Sequence, residues 1–231
     1  MAFADPMEPF SPYYTAEMAH EDIVDALGGK TLGELIPQDF LARFGLDYPV
    51  QYGMVCADVR AQADRLEELG ASPFVHVSTA ASGWKELGLS KDVILEMALG
   101  QSDDQQIKLS GPGHNTRFFA DAIPADGSMA LHHVCCMPDD LDELRRRLPL
   151  AGYPLYVEGG SRRGLLSGRY ASFDTRDQFG FWLELVEYRF LGRKTSPAEG
   201  STSSLARLQQ RWLGQQEPAE AYALVQVRSQ K

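Results

Sequence analysis

Apolar and polar positions change period several times along the chain, and the changes come in a fixed order. Residues 51–56 (QYGMVC) read as a short strand. Asp58 stands where a helix N-cap belongs, Val59 and Leu66 share a helical face running to Leu69, and Gly70 stops it. Ser72–Ser78, Asp92–Leu99 and Gln105–Ser110 follow as strands, the last two joined by the turn-rich GQSDD (100–104). The predicted order is β-α-β-β-β.

The same order returns downstream. His132–Met137 reads as a strand, and Asp139 or Asp140 caps a helix that runs through Leu150 and ends near Gly152. Pro154–Glu158, Arg169–Asp174 and Phe181–Tyr188 read as strands. A shift of 82 positions carries Gln51 onto His133, Asp58 onto Asp140, Leu66 onto Leu148 and Gly70 onto Gly152. Strand, cap, helix face and stop coincide, which is the signature of an internal repeat.

The fold class expected is α+β, with two paired βαβββ modules forming a cleft between helical N- and C-terminal extensions. The predicted divisions are 1–48 as N-terminal extension, 49–113 as first module, 114–130 as linker, 131–188 as second module and 189–231 as C-terminal extension. Helical patterns at Ala16–Leu27 and Thr31–Phe44 precede the repeat, with Gly45 as a C-cap and Pro49 barring continuation. The middle of the linker suits a short helical turn. Ser203–Leu213 reads as a helix with Leu205, Leu208 and Trp212 on one apolar face, and Ala221–Val227 as a terminal strand or added packing.

Composition narrows the classes. The 231 residues are 44% hydrophobic and 23% charged, ordinary for a globular chain. A net charge of −10 argues against nucleic acid or an anionic membrane as a partner. No apolar run reaches the roughly 18–20 residues of a membrane span, and the opening MAFADPMEPFSPYY lacks the basic and apolar regions of a signal peptide. Cys56, Cys135 and Cys136 are an odd count without framework spacing. A reducing cytoplasm is the expected compartment.

Candidate chemistry concentrates in LHHVCCMPDDLDE (131–143). The repeat selects His133, the copy of Gln51, while strand parity turns His132 to the other face. The cysteines read as packing, since no CxxC spacing or second pair supports a zinc site. Glu184 sits in an otherwise apolar strand, where an unpaired carboxylate is costly. Glu187 has the opposite parity and reads as a solvated edge residue. His76 reads as structural, and the arginine-containing SRRGLLSGR (161–169) as a solvated loop.

The paired modules resemble the vicinal oxygen chelate superfamily, which includes glyoxalase I, bleomycin-resistance proteins, extradiol dioxygenases and methylmalonyl-CoA epimerase. QYGMVCADV (51–59), HHVCCMPDDLDEL (132–144) and FGFWLELVEY (179–188) carry the resemblance. IKLSGPGHNTRFFADAI with LHHV is more similar to the glyoxalase-like and epimerase-like branch than to the dioxygenases.

The resemblance implies a cleft holding a divalent metal (Zn, Ni, Co, Mn or Fe) at Gln51, His133 and Glu184, with Lys108 at the fourth position. It also implies a small-molecule substrate and a homodimer. Lys108 is the departure, because an ammonium only donates hydrogen bonds and repels a metal. It points away, or loses its proton and acts as a base, or pairs with Glu184 in a metal-free cleft. Glu184 and Lys108 are the candidate catalytic groups. His114, Arg117 and Phe118, where the linker crosses the cleft mouth, are candidate substrate contacts together with Tyr170.

The leading expectation is a metal-dependent isomerase or lyase that stabilises an enolate during proton transfer. The alternatives are a metal-free binding protein of the bleomycin-resistance type and an Fe(II) dioxygenase-like enzyme.

Overall fold

The computed structural model of the chain describes residues 23, 25, 29, 30, 32–102, 105–163, 166–195 and 201–213. The helix expected over Ala16–Leu27 falls almost wholly outside them, and the strand expected over Ala221–Val227 does so completely.

Helices α1 (Leu32–Leu35) and α2 (Gln38–Phe44) replace the single helix expected over Thr31–Phe44. Pro37 divides them, because proline lacks an N–H and disfavours helical geometry at the residue before it. Gly45 closes α2 in the left-handed region, φ +62°. Next come β1 (Gln51–Val55), α3 (Val59–Glu68), β2 (Val75–Glu86), β3 (Leu89–Ser90), β4 (Val93–Ser102) and β5 (Gln105–Ser110). The second half comprises β6 (Ala130–Cys136), α4 (Leu141–Leu150), β7 (Leu155–Arg163), β8 (Leu166–Phe173), α5 (Arg176–Phe179) and β9 (Trp182–Phe190). The short β10 (Arg193–Thr195) and α6 (Ser201–Leu213) end the described chain.

The helix of each half starts as its sequence dictates. Asp58 accepts hydrogen bonds from the N–H groups of Arg60 and Ala61 at 3.0 Å, and Asp140 accepts from Glu143 at 2.9 Å. Leu141, Leu144 and Leu148 of α4 are at most 3% exposed, and each such burial contributes about 2 kcal/mol. They pack with Tyr52, Met54, Ile107, Leu109, Val134, Cys136 and Leu183 in the larger core.

Ten strands form one sheet in the order β10-β9-β6-β1-β5-β4-β2-β7-β8, with β3 on β2 and a further pairing of β8 with β9. That last pairing closes eight strands into a ring. Its outer side carries the larger core, and its inner side a second, aromatic cluster that includes Val55, Trp84, Phe118, Phe119 and Trp182.

The repeat is visible in the register. Gly53 of β1 stands beside Lys108 of β5, and 82 residues on, Cys135 of β6 stands beside Glu184 of β9. Between β1 and β6, Gln51 faces Cys135 and Gly53 faces His133, two pairs that the same shift exchanges.

Several expectations need correction. SRRGLLSGR is not an irregular loop but lies across the β7–β8 hairpin, whose strands pair from Leu155–Phe173 to Arg163–Leu166. Glu187 is 1% exposed, because Arg169 and Arg189 both donate to its carboxylate and compensate its burial. Leu205 and Leu208 of α6 are at least half exposed, and among its described side chains the buried ones are Ala206 and Gln209. Gln209 exchanges two hydrogen bonds with the His76 backbone, at 2.8 and 2.9 Å, so a polar clamp orients this helix. The side chain of Trp212 lies outside the description. No described helix is long and apolar enough to cross a membrane.

Candidate functional site

Four strands that are neighbours in the ring, β5, β1, β6 and β9, bring Lys108, Gln51, His133 and Glu184 to its inner side. Lys108 Nζ lies 2.8 Å from Glu184 Oε1, with side-chain exposures of 13% and 7%. His133 Nε2 lies 3.5 Å from the same oxygen, and the ring is fully buried. Gly53 makes room for it: a Cβ built at Gly53 would collide with the His133 imidazole. Gln51 donates to Gln106, whose own amide donates to Thr202 of α6 at 3.1 Å.

His132 was expected on the opposite face and is not there. The register shifts between Gly53 and Met54, which pair with His133 and Leu131, so His132 is the extra residue of a β-bulge. Its ring enters the inner side, 4.6 Å from the Phe118 ring and 6.3 Å from that of Trp182. His132 Nε2 is 2.9 Å from the Phe118 carbonyl, and its Nδ1 is 3.0 Å from His133 Nδ1. Burial pushes His132 down to about 4, against the raising effect of its bond to Phe118. Burial, with Lys108 and His132 nearby, holds His133 well below the usual imidazole range. Burial raises the Cys135 thiol far above its ordinary value.

The segment between the two halves enters the ring as a strap. Phe118 and Phe119 are 5% and 3% exposed and pack on Trp84, Tyr156, Trp182 and His132. Thr116 fastens the strap by donating to the buried Glu86 at 2.8 Å, and its hydroxyl accepts from Phe118 N–H at 3.1 Å. Of the expected substrate contacts, Phe118 and Tyr170 face this interior. Arg117 is exposed, paired with Asp121, and lines the cavity at the strap, while His114 is exposed, with its backbone bridged to Ile94.

Among the described residues, Trp84 Nε1, Ser110 Oγ, His133 Nε2, Tyr170 OH and Ser172 Oγ are buried without a hydrogen-bond partner. All five belong to inner-side positions: Trp84 and Tyr170 to the aromatic cluster, Ser110 two residues after Lys108, Ser172 opposite Glu184. A buried polar atom left unpaired costs about 1–3 kcal/mol. Five around one interior mark it as a place for a molecule with polar atoms of its own. At the strap, a cavity of about 210 Å³ is lined by Arg117, Phe118, His132, Tyr156, Arg176 and Trp182 among others. Arg176 lies 4.0 Å over the Trp182 ring and bonds Asp174.

The donor set does not fit a divalent ion. A resident ion takes three or more protein donors. Here Lys108 sets a positive charge 2.8 Å from the one carboxylate. Among the described residues no three His, Cys, Asp or Glu side chains gather as a metal-binding group. The ammonium of Lys108 supplies the charge that offsets Glu184.

Sequence reasoning missed His132, Trp84, Phe119, Ser110 and Ser172. Parity along β5 and β8 could have found the two serines, since each lies two residues from an inner position.

A family model described as the Glyoxalase/Bleomycin resistance protein/Dioxygenase superfamily matches residues 50–173. Among solved structures the chain is similar to methylmalonyl-CoA epimerase from Mycobacterium tuberculosis, at 23% identity and a TM-score of 0.43, over 60% of this chain and 85% of that one. It is similar to a Streptomyces coelicolor methylmalonyl-CoA epimerase in complex with 2-nitronate-propionyl-CoA, at 17% identity and a TM-score of 0.42, over 61% and 96%. A hypothetical protein from Bacillus halodurans C-125 is 15% identical, with a TM-score of 0.43, over 65% and 96%. The comparison with curated proteins gives no match.

Proposed function

The chain belongs to the Glyoxalase/Bleomycin resistance protein/Dioxygenase superfamily, and on that premise we propose that it moves a proton on a small carbonyl compound, with Lys108 in place of a metal ion. One observation carries the reading. A single carboxylate oxygen, Glu184 Oε1, has an ammonium at 2.8 Å and an imidazole nitrogen at 3.5 Å. A buried ion pair costs several kcal/mol in desolvation for each ion, so a purely apolar binding site has no use for one.

The chemistry follows from the residues. A substrate carbonyl oxygen replaces Glu184 as the partner of Lys108. The freed carboxylate takes the proton from the adjacent carbon, and the electron pair of that C–H bond moves onto oxygen as an enolate. Lys108 and the Ser172 hydroxyl, beside Glu184 in the register, stabilise the negative oxygen. The proton returns to a neighbouring atom. Glu184 and His133 are too close together to flank a substrate, so the pair suits a proton shift along one face of an isomerase substrate.

The test is deuterium exchange at the acidic C–H of 2-oxo aldehydes, 2-oxo acids and acyl thioesters, followed by proton NMR in D2O with chelator present. Exchange is expected with the unaltered chain and not with Glu184→Gln or Lys108→Met. Loss of exchange on adding chelator refutes the metal-free reading. A second reading, sequestration of an aromatic molecule, is favoured by the ring-lined interior, in which Phe118 and Tyr156 stack at 5.7 Å. It predicts binding that Glu184→Gln leaves intact, with no exchange.

A further inference from the structure

We propose that His132 is a positioning residue that transmits a proton choice from the strap to His133, leaving His133 Nε2 as a bare lone pair at the Lys108–Glu184 pair. Three contacts in series carry the inference. His132 Nε2 is 2.9 Å from the carbonyl oxygen of Phe118. His132 Nδ1 is 3.0 Å from His133 Nδ1. His133 Nε2 is buried, has no hydrogen-bond partner and lies 3.5 Å from Glu184 Oε1.

The proton positions follow from what each group can do. A carbonyl oxygen only accepts, so His132 Nε2 carries the proton of the first bond. At neutral pH, above the ordinary imidazole pKa of about 6.5, each ring is neutral and has one ring N–H. His132 has spent its proton on Phe118, and its Nδ1 is a lone pair. Two nitrogen lone pairs at 3.0 Å would repel, so the proton between the rings belongs to His133 Nδ1. The Nε2 of His133 is then unprotonated, a base without a donor on it.

The two histidines need unlike neighbours for this. The β-bulge brings consecutive side chains to the same side of the strand, and Gly53 leaves the space that the second ring fills. The relay also begins on the strap, not on the ring of strands. His133 is set as a base only while Phe118 is seated, and Thr116 on Glu86 holds that seat. The proton assignment itself does not depend on the proposed reaction; the catalytic use of Nε2 does.

Protein labelled with nitrogen-15 histidine tests both parts separately. Long-range proton–nitrogen spectra distinguish the two tautomers. The expected result is His132 protonated on Nε2 and His133 on Nδ1, the rarer form in a free histidine side chain. His132→Asn keeps an acceptor near the Nδ1 position and preserves the His133 tautomer, whereas His132→Phe removes it and moves the His133 proton onto Nε2. A His133 already protonated on Nε2 in the unaltered protein overturns the relay, and this reading needs no variant to fold. A confirmed tautomer with no deuterium exchange in any carbonyl compound leaves the relay standing and removes the proposed reaction.

Discussion

Lys108 Nζ lies 2.8 Å from Glu184 Oε1, although the two residues come from strands separated in the sheet by β1 and β6. Their backbones occupy matching places in the two halves, Lys108 beside Gly53 and Glu184 beside Cys135. One half thus supplies the cation and the other the anion at positions that the repeat makes equivalent.

Replacing the cation by a donor converts the site. Lys108→His places a third neutral or anionic donor with His133 and Glu184, a set that suits a tetrahedral or octahedral ion. We expect the variant to bind Co(II) or Zn(II) at about one ion per chain and the unaltered protein to take up none. Absorption spectra of the cobalt form and elemental analysis measure both. Equal metal content in the two proteins would show that Lys108 does not exclude an ion.

The pair also has an energetic signature. Lys108→Met alone leaves Glu184 charged in a buried place, and the expected loss is about 3–5 kcal/mol. Glu184→Leu alone leaves the ammonium. The double replacement removes both desolvation costs and should be within about 1 kcal/mol of the parent, or more stable than it. Urea unfolding of the four proteins gives the coupling. Two single losses that simply add would mean that the groups do not meet.

How much of this the sequence disclosed depends on the kind of feature. Asp58 and Asp140 were readable as helix starts because capping is local: one short side chain reaches N–H groups two or three residues on. The convergence of Lys108, His133 and Glu184 was implied by the resemblance to the vicinal oxygen chelate superfamily, whose paired modules set their first and last strands side by side. His132 was misplaced because a bulge is set by pairing between β1 and β6, which alternation along β6 alone does not reveal. Phe118 was expected at the cleft mouth, but the depth to which it and Phe119 enter the ring was hidden for a similar reason. The linker has no periodic pattern, and what draws two phenylalanines inward is the space between Trp84, Tyr156 and Trp182. Glu187 looked solvated because its compensation comes from Arg169 on another strand and Arg189 two residues on.

The buried imidazoles make stability depend on pH. His132 is pushed down to about 4 and burial holds His133 well below the usual imidazole range, while an unfolded chain titrates at about 6.5. Between those values the unfolded state binds more protons than the folded one, so stability rises with pH there. The contribution is complete above about pH 6.5 and is lost as the pH falls toward 4, at up to about 1.4 kcal/mol per pH unit for each ring. Urea midpoints at about pH 7, 6 and 5 should fall steadily, and His132→Phe should roughly halve the slope. A flat profile over this range would mean that the rings are not held neutral.

Gly53 is the position where the smallest change should disable the site without removing any of its groups. A methyl there would strike the His133 ring, and Gly53 is paired with His133 across the strands, so neither backbone can retreat without parting β1 from β6. Gly53→Ala therefore displaces the imidazole from Glu184, at an overpacking cost of about 1–3 kcal/mol. Gly100→Ala is the matched control: its methyl would come within 2.7 Å of the Phe74 ring, which lies in the larger core on the outer side of the ring of strands. Both variants should lose comparable stability by thermal unfolding. Only Gly53→Ala should alter the nitrogen-15 signals of His133 and abolish proton exchange, and a Gly53→Ala protein with unchanged histidine signals would show that the ring does not rest on Gly53.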